Sequence, residues 1–262
     1  MTAPASASGR QRLFDAHLHI VDPAHPLVEN QGYLPEPFTV ADYRARTASL
    51  GEVGVEVAGG AVVSGSFQAF DQGYLVAALE ALGPGFVGVT QIPADTPDAE
   101  VLRLHEAGVR AVRFNVQRGG SAPLDDVDRL ARRVHDLAGW HAEFYLDARA
   151  LPDLVARILA LPAASVDHLG LHADGLPHLL RLVEGGVKVK ATGFGRVQLD
   201  PAAASRAVLD VDPTALMVGT DLPSTRAPRP FRDTDLALLR AVLDPSEVDA
   251  VVWGNAAAFY RV

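Results

Sequence analysis

Two rhythms of apolar residues alternate along the chain. Short runs rich in β-branched residues read as strands: LFDAHLHI (13–20), VEVAGGAVV (55–63), FVGVTQI (86–92), VRAVRFNV (109–116), AEFYLDA (142–148), SVDHLG (165–170), VKVKATG (187–193) and LMVGTDL (216–222). Between them, FQAFDQGYLVAALEALG, DAEVLRLHEAG, PLDDVDRLARRVHDLAG and ALPDLVARILALP space their apolar residues at i, i+3 and i+4 and read as helices. Punctuation agrees. Thr96-Pro97 and Asp200-Pro201 each place a capping side chain before a proline at the first helical position. Gly108, Gly139 and Gly185 fall where helices should stop.

Eight strand-then-helix units in a chain of 262 residues predict an α/β fold, a single-domain (β/α)8 TIM-type barrel over 13–262 behind a disordered leader at 1–12. A doubly wound open sheet shows the same alternation, but neither G-x-G-x-x-G nor G-x-x-x-x-G-K-[ST] is present to grip a phosphate.

Composition narrows the function. Without cysteine there are no disulfides, thiolate metal sites or thiol catalysis, which fits a cytoplasmic protein. A net charge of −9 argues against a nucleic-acid partner. The sequence carries neither a secretory h-region nor the roughly 20 apolar residues that span a bilayer, so no membrane role is expected.

Strand parity then selects side chains for the barrel mouth, where the C-terminal strand ends meet. His17 and His19 share one face, and Asp15 has the same parity one layer deeper, as a supporting hydrogen-bond partner. Strand four turns Arg113 and Asn115 inward, and strand five does the same for Glu143, Tyr145 and Asp147. Strand six ends in His168 and strand eight in Asp221. Asp167, of opposite parity to His168, is expected to serve local structure, and the face of Lys188 and Lys190 stays open. His172 lies on the loop after strand six, within reach of the mouth, while His105 and His135 belong to helices and His25, His141 and His178 to turns or helix ends. A lone strand histidine is ordinarily a satisfied core residue. Three histidines and an aspartate converging from three strand ends are not a chance placement, and the family resemblance carried by the same segments implies chemistry at a carbonyl: a carboxylate to take a proton from water, with imidazoles or a metal to stabilise the oxyanion.

The segments FDAHLHI, GVRAVRFN, GWHAEFY, VDHLG, VKVKATGFGR, VGTDLPS and WGNAAAFYR occur in family order, and the chain resembles the amidohydrolase superfamily, within it the 2-pyrone-4,6-dicarboxylate lactonase-like branch. The resemblance implies a distorted barrel and hydrolysis of a small, carboxylated lactone. His17, His19, His168 and Asp221 match the family's catalytic positions, with Asp221 as general base. Arg113, with help from Arg118, would grip a substrate carboxylate, with Tyr145 and Arg196 as further contacts; the alternative for Arg113 is an internal ion pair with Glu143 or Asp147.

Two-metal members carry a carboxylate or carboxylated lysine ending strand four and a histidine ending strand five. Asn115 and Tyr145 stand there in this chain, so the expectation is no metal or one divalent ion, zinc foremost, on His17, His19 and Asp221. Leu171 replaces the arginine that commonly follows DHxG, and Leu222, Pro223 and Ser224 replace Trp-Pro-His, which favours a smaller, less charged lactone and leaves a sugar lactone open. Competing readings are a metal-dependent decarboxylase of the same superfamily and a non-catalytic binding barrel. A serine hydrolase lacks its G-x-S-x-G elbow.

Overall fold

The structure, a computed structural model, describes residues 9–262. Strands and helices alternate: β1 (Gln11–Leu18), α1 (Val40–Ala48), β2 (Val55–Val63), α2 (Gly73–Leu82), β3 (Phe86–Thr90), α3 (Asp98–Glu106), β4 (Val109–Asn115) and α4 (Val127–Ala138). The second half follows with β5 (His141–Tyr145), α5 (Val155–Leu159), β6 (Ala164–Val166), α6 (Leu176–Glu184), β7 (Lys188–Ala191), α7 (Pro201–Val211), β8 (Leu216–Val218), α8 (Asp233–Arg240) and α9 (Asn255–Tyr260). All neighbouring strands are parallel, in the order β1 to β8. β8 meets β1 through a parallel bridge between Leu18 and Leu222, and Asp221 N donates to His17 O at 2.7 Å. The result is a (β/α)8 barrel, as the alternation predicts.

Two apolar layers hold it. Outward side chains such as Leu13, Val112, Phe114, Phe144, Val166, Val189 and Leu216 pack beneath the helices. Inside, Phe14, Ala16, Ala61, Val63, Val87, Val89, Ala111 and Met217 fill the lower barrel, closed by Ala256 and Tyr260 of α9. In α4, Leu130 and Val134 are completely buried, each worth about 1.5–3 kcal/mol of transfer free energy.

The capping signals hold at α7 and α4 but not at α3. Asp200 caps α7 through Ala202 N and Ala203 N with Pro201 at its first turn, and Gly139 ends α4 in the left-handed region at φ 68°. Thr96 does not cap α3; its hydroxyl turns back to Pro93 O, and Pro97 is the residue before the helix. The segment expected as one helix over 150–162 is a 3₁₀ stretch containing Pro152 followed by the five-residue α5. Proline lacks the N–H that a continuous helix needs there. Of the expected leader, residues 1–8 lie outside the described residues, whereas Gln11 and Arg12 pair with Val55 and Glu56 in β1. Among the described residues no helix is long and apolar enough to cross a membrane.

Candidate active site

Most strands end before their apolar runs do, so the mouth is built mainly from residues just past strand ends: His19, Asp167, His168 and Asp221. β1 carries an irregularity between Asp15 and Leu18. Such a bulge offsets the alternation of side chains. Ala16 joins the interior cluster and His17 also faces inward, while Asp15 turns away from the pair. Asp15 instead accepts from Tyr43 OH at 2.9 Å and from Thr220 N and Oγ1 at 2.7 Å each, and burial pushes its pKa up to about 6. It is thus a support, from the opposite face to that expected. Gly219 permits this closeness, because a Cβ there would lie 2.6 Å from His17 N.

Strand six resolves differently. Val166 packs outward, so Asp167 points inward by ordinary parity, and His168 joins it because its backbone turns left-handed at φ 53°. The expectation of a merely local role for Asp167 is therefore corrected. Its Oδ2 accepts from Arg113 Nη2 at 2.8 Å and Nε at 3.2 Å, and its Oδ1 lies 3.4 Å from Lys190 Nζ and 3.3 Å from His17 Nδ1. Burial alone would raise the Asp167 pKa, but Lys190, His17 and Arg113 hold it well below the usual carboxylate range. Lys190 is the inward lysine of β7, paired also with Glu143; Lys188 stays near the surface with Asp212 and Thr214.

Four side chains expected together do meet. The Nε2 atoms of His17, His19 and His168 lie 3.8, 3.8 and 3.9 Å from Asp221 Oδ1. Asp221 Oδ2 is held by Arg196 Nη2 at 2.5 Å and Nε at 2.9 Å. Burial opposes the charge of Arg196, yet Asp221 and Tyr145 leave its pKa above the ordinary value. Burial, reinforced by neighbouring positive groups, keeps His19 and His168 neutral, with pKa values well below the usual one. His19 Nδ1 is 2.7 Å from Val63 O, an atom that can only accept, so the neutral ring carries its proton there and presents a bare lone pair at Nε2. The lone pair and the Asp221 carboxylate face each other as two acceptors. Asp221 Oδ1 and His17 Nε2 are buried without hydrogen-bond partners. Two imidazoles and a carboxylate in that condition fit a single divalent cation. A second grouping, His17, Asp167 and His168, fits less well because Arg113 and Lys190 already engage Asp167.

Other expectations land elsewhere. Arg113 does point inward and does form an internal ion pair, but with Asp167 rather than Glu143 or Asp147. Asp147 lies past the end of β5 and caps the next turn through Arg149 N, so it is not an inward residue. His141 begins β5 instead of occupying a turn, buried with Nε2 3.0 Å from Glu143 Oε1. His172 accepts from Asp174 N at a turn and is not part of the mouth. Tyr145, Arg113, Arg118 and Arg196 do line the cleft above the histidines. Asn115 accepts from Arg118 N at 3.0 Å and fixes the start of the loop. Ser66, Phe67, Thr225 and Arg226 also line this cleft; Ser66 and Phe67 lie in a 3₁₀ turn ahead of α2, which begins at Gly73 and not at Phe67 as the apolar spacing predicts, and Thr225 and Arg226 follow β8 in a loop.

A barrel with histidines from strands one and six and an aspartate after strand eight defines the amidohydrolase class. A family model described as amidohydrolase matches residues 14–262, and the chain belongs to that family. It is 34% identical over 161 residues to the 2-pyrone-4,6-dicarboxylate hydrolase of Comamonas testosteroni, a match covering 60% of this chain and about half (51%) of that relative's length. To the D-galactarolactone isomerase of Agrobacterium fabrum it is 27% identical over 242 residues, 85% of this chain and 80% of the other. Its fold is shared with an Agrobacterium tumefaciens protein in apo form, at TM-score 0.82, 23% identity and 99% coverage of both chains. A probable 2-pyrone-4,6-dicarboxylic acid hydrolase from Acinetobacter baumannii with citric acid bound shares it too, at TM-score 0.79 and 18% identity, covering 95% of this chain and 99% of that one.

Proposed function

We propose that this chain hydrolyses a small lactone to its open hydroxy acid, with Asp221 as general base. The observation that carries the reading is the unpartnered Asp221 Oδ1 among three imidazole Nε2 atoms, its other oxygen clamped by Arg196. A water in that space gives a proton to Oδ1 while its oxygen bonds to the lactone carbonyl carbon. Collapse breaks the ring C–O bond, and the departing alkoxide takes the proton back from Asp221.

The histidines divide the remaining work. His19, with no proton at Nε2, accepts from the attacking water. Lys190 lies 3.5 Å from His17 Nδ1 and Thr192 Oγ1 lies 2.7 Å from His168 Nδ1. Donation from Thr192 leaves Nε2–H on His168 to face the developing oxyanion, whereas the Asp167 carboxylate, 3.3 Å from His17 Nδ1, takes that ring's proton and leaves its Nε2 bare. His17, His19 and Asp221 would hold one divalent ion, zinc by donor type, and when bound it supplies Lewis-acid polarisation of the carbonyl.

The test is a panel of sugar and carboxylated lactones incubated with purified protein, acid release being followed by pH-stat and the product by NMR. The expected product is the hydroxy acid. Absence of acid release across the panel defeats the hydrolase reading, and appearance of an isomeric lactone favours an isomerase like the Agrobacterium relative.

A further inference from the structure

A lysine lies buried beneath the site. Lys190 of β7 and Glu143 of β5 pair inside the barrel with no exposure to solvent, where branched apolar side chains ordinarily pack. Lys190 takes one oxygen of Glu143, and Tyr260 and His141 hold the other from the base. Replacing a buried ion pair by apolar residues of similar volume is often neutral or stabilising. Stability therefore does not account for charge at this depth.

Lys190 also reaches Asp167, whose Oδ1 lies 3.4 Å from its Nζ and 3.3 Å from His17 Nδ1. Both Arg113 bonds, from Nε and Nη2, land on the other oxygen, Oδ2. A guanidinium and a carboxylate left to themselves favour a fork in which each oxygen takes one N–H. The ammonium thus draws Oδ1 away from Arg113 and keeps it against His17. That histidine stands between two carboxylates, with Asp167 Oδ1 at Nδ1 and Asp221 Oδ1 3.8 Å from Nε2. A neutral imidazole has one N–H, and the acceptor in place decides which nitrogen carries it. Lys190 Nζ is itself 3.5 Å from Nδ1, but the oxygens of Glu143 and Asp167 compete for its N–H groups, and bonds to anions are the stronger.

We propose that Lys190 is a positioning residue that acts through Asp167: by holding Asp167 Oδ1 at His17 Nδ1 it keeps the imidazole proton there, and so leaves Asp221 Oδ1 free for the attacking water. The role given to that water rests on the lactone-hydrolase reading; the placement of the His17 proton does not. Without Lys190, Asp167 relaxes onto the Arg113 fork, and the His17 proton turns to Asp221, the oxygen that the water needs.

Heteronuclear NMR of the histidine-labelled whole chain, at neutral pH and without added metal, reads the proton directly, with His17→Gln giving the assignment. In the wild type it should sit on Nδ1. A proton on Nε2, or on both nitrogens, overturns the proposal before any variant of the network is made. Lys190→Met combined with Glu143→Gln removes one charge of each sign and leaves an amide to accept from Tyr260. In this double variant the proton should move to Nε2, wholly or in part. With a lactone that the wild type opens, its kcat should fall about tenfold to a hundredfold, the usual effect of losing an outer partner of a site histidine. KM should hold within about twofold, because Lys190 is buried below the cleft and touches no substrate. An unchanged proton position or an unchanged kcat in the folded double variant overturns the proposal. Glu143→Gln alone leaves Lys190 on Asp167 and should keep the proton on Nδ1. A shift as large as in the double variant would also overturn the proposal, since disturbance of the interior would then be the cause and not loss of the lysine. If the proton follows Lys190 in this way but the wild type opens no lactone, the hydrolase reading falls and the positioning role stands.

Discussion

Asp221 and His168 both adopt left-handed backbone, at φ 60° and 53°. Holding such residues there costs about 1–3 kcal/mol each, offset at Asp221 by the bond from its N–H to His17 O and by Arg196 on its side chain. Asparagine tolerates the same conformation, so Asp221→Asn should fold and lose roughly 10²–10⁴-fold in turnover. Wild-type turnover in a variant with native circular dichroism would remove Asp221 from the mechanism. His19 permits a second test, independent of activity. Its Nε2 lone pair is fixed by the Val63 carbonyl, so added zinc should raise the wild-type Tm, and chelation should reverse the rise. His19→Ala should lose most of that gain. An equal gain in the variant would place the ion elsewhere.

At the level of elements, alternation of apolar runs was enough to predict the barrel, because each strand buries one face under helices and its neighbours repeat the pattern. The faces of individual side chains were less legible. Asn115 and Tyr145, within regular strands, point where parity says. Asp15 does not, because the irregularity in β1 offsets the count, and nothing in FDAHLHI announces it. Asp167 is legible from Val166, since an apolar residue packed beneath the helices fixes its strand neighbour inward. His168 is legible as the polar residue ending strand six, but a left-handed turn that parity cannot foresee is what brings it inward. The β1–β8 seam is where these effects meet, and Gly219 makes it possible. A Cβ at this position would meet His17 N at 2.6 Å and Asp15 Oδ1 at 2.8 Å, and the first of these is backbone that cannot swing aside. Gly219→Ala should therefore destabilise the fold by about 1–3 kcal/mol in urea melts and lower turnover by displacing His17. A variant as stable and active as wild type would show that the seam has slack.

Across the whole molecule, ionised and polar groups run through the barrel from α9 to the mouth. His141 and Tyr260 contact Glu143, Glu143 contacts Lys190, and Lys190 reaches Asp167 and His17. Burial alone would raise the Glu143 pKa, but Lys190 and His141 bring it down to about 2. Arg113 and Lys190 balance Glu143 and Asp167, which is how four charges are tolerated inside. His141, at the lower end of this chain, ties the network to pH. Burial lowers its pKa, with Lys190 and Arg261 acting in the same direction and Glu143 opposing them. The folded protein thus binds fewer protons at His141 than the unfolded chain, whose histidines titrate near 6.5. Stability from this residue is fully present above that value and is lost as pH falls below it, by up to about 1.4 kcal/mol per pH unit until the folded value is reached. Glutamine keeps an N–H for Glu143 and cannot titrate, so His141→Gln should flatten the fall of unfolding free energy between pH 7 and 5 relative to wild type. Urea melts across that range read the difference directly. Parallel profiles for the two proteins would mean that His141 takes up its proton in the folded barrel as readily as in the unfolded chain, and that Glu143 outweighs burial at the base of the network.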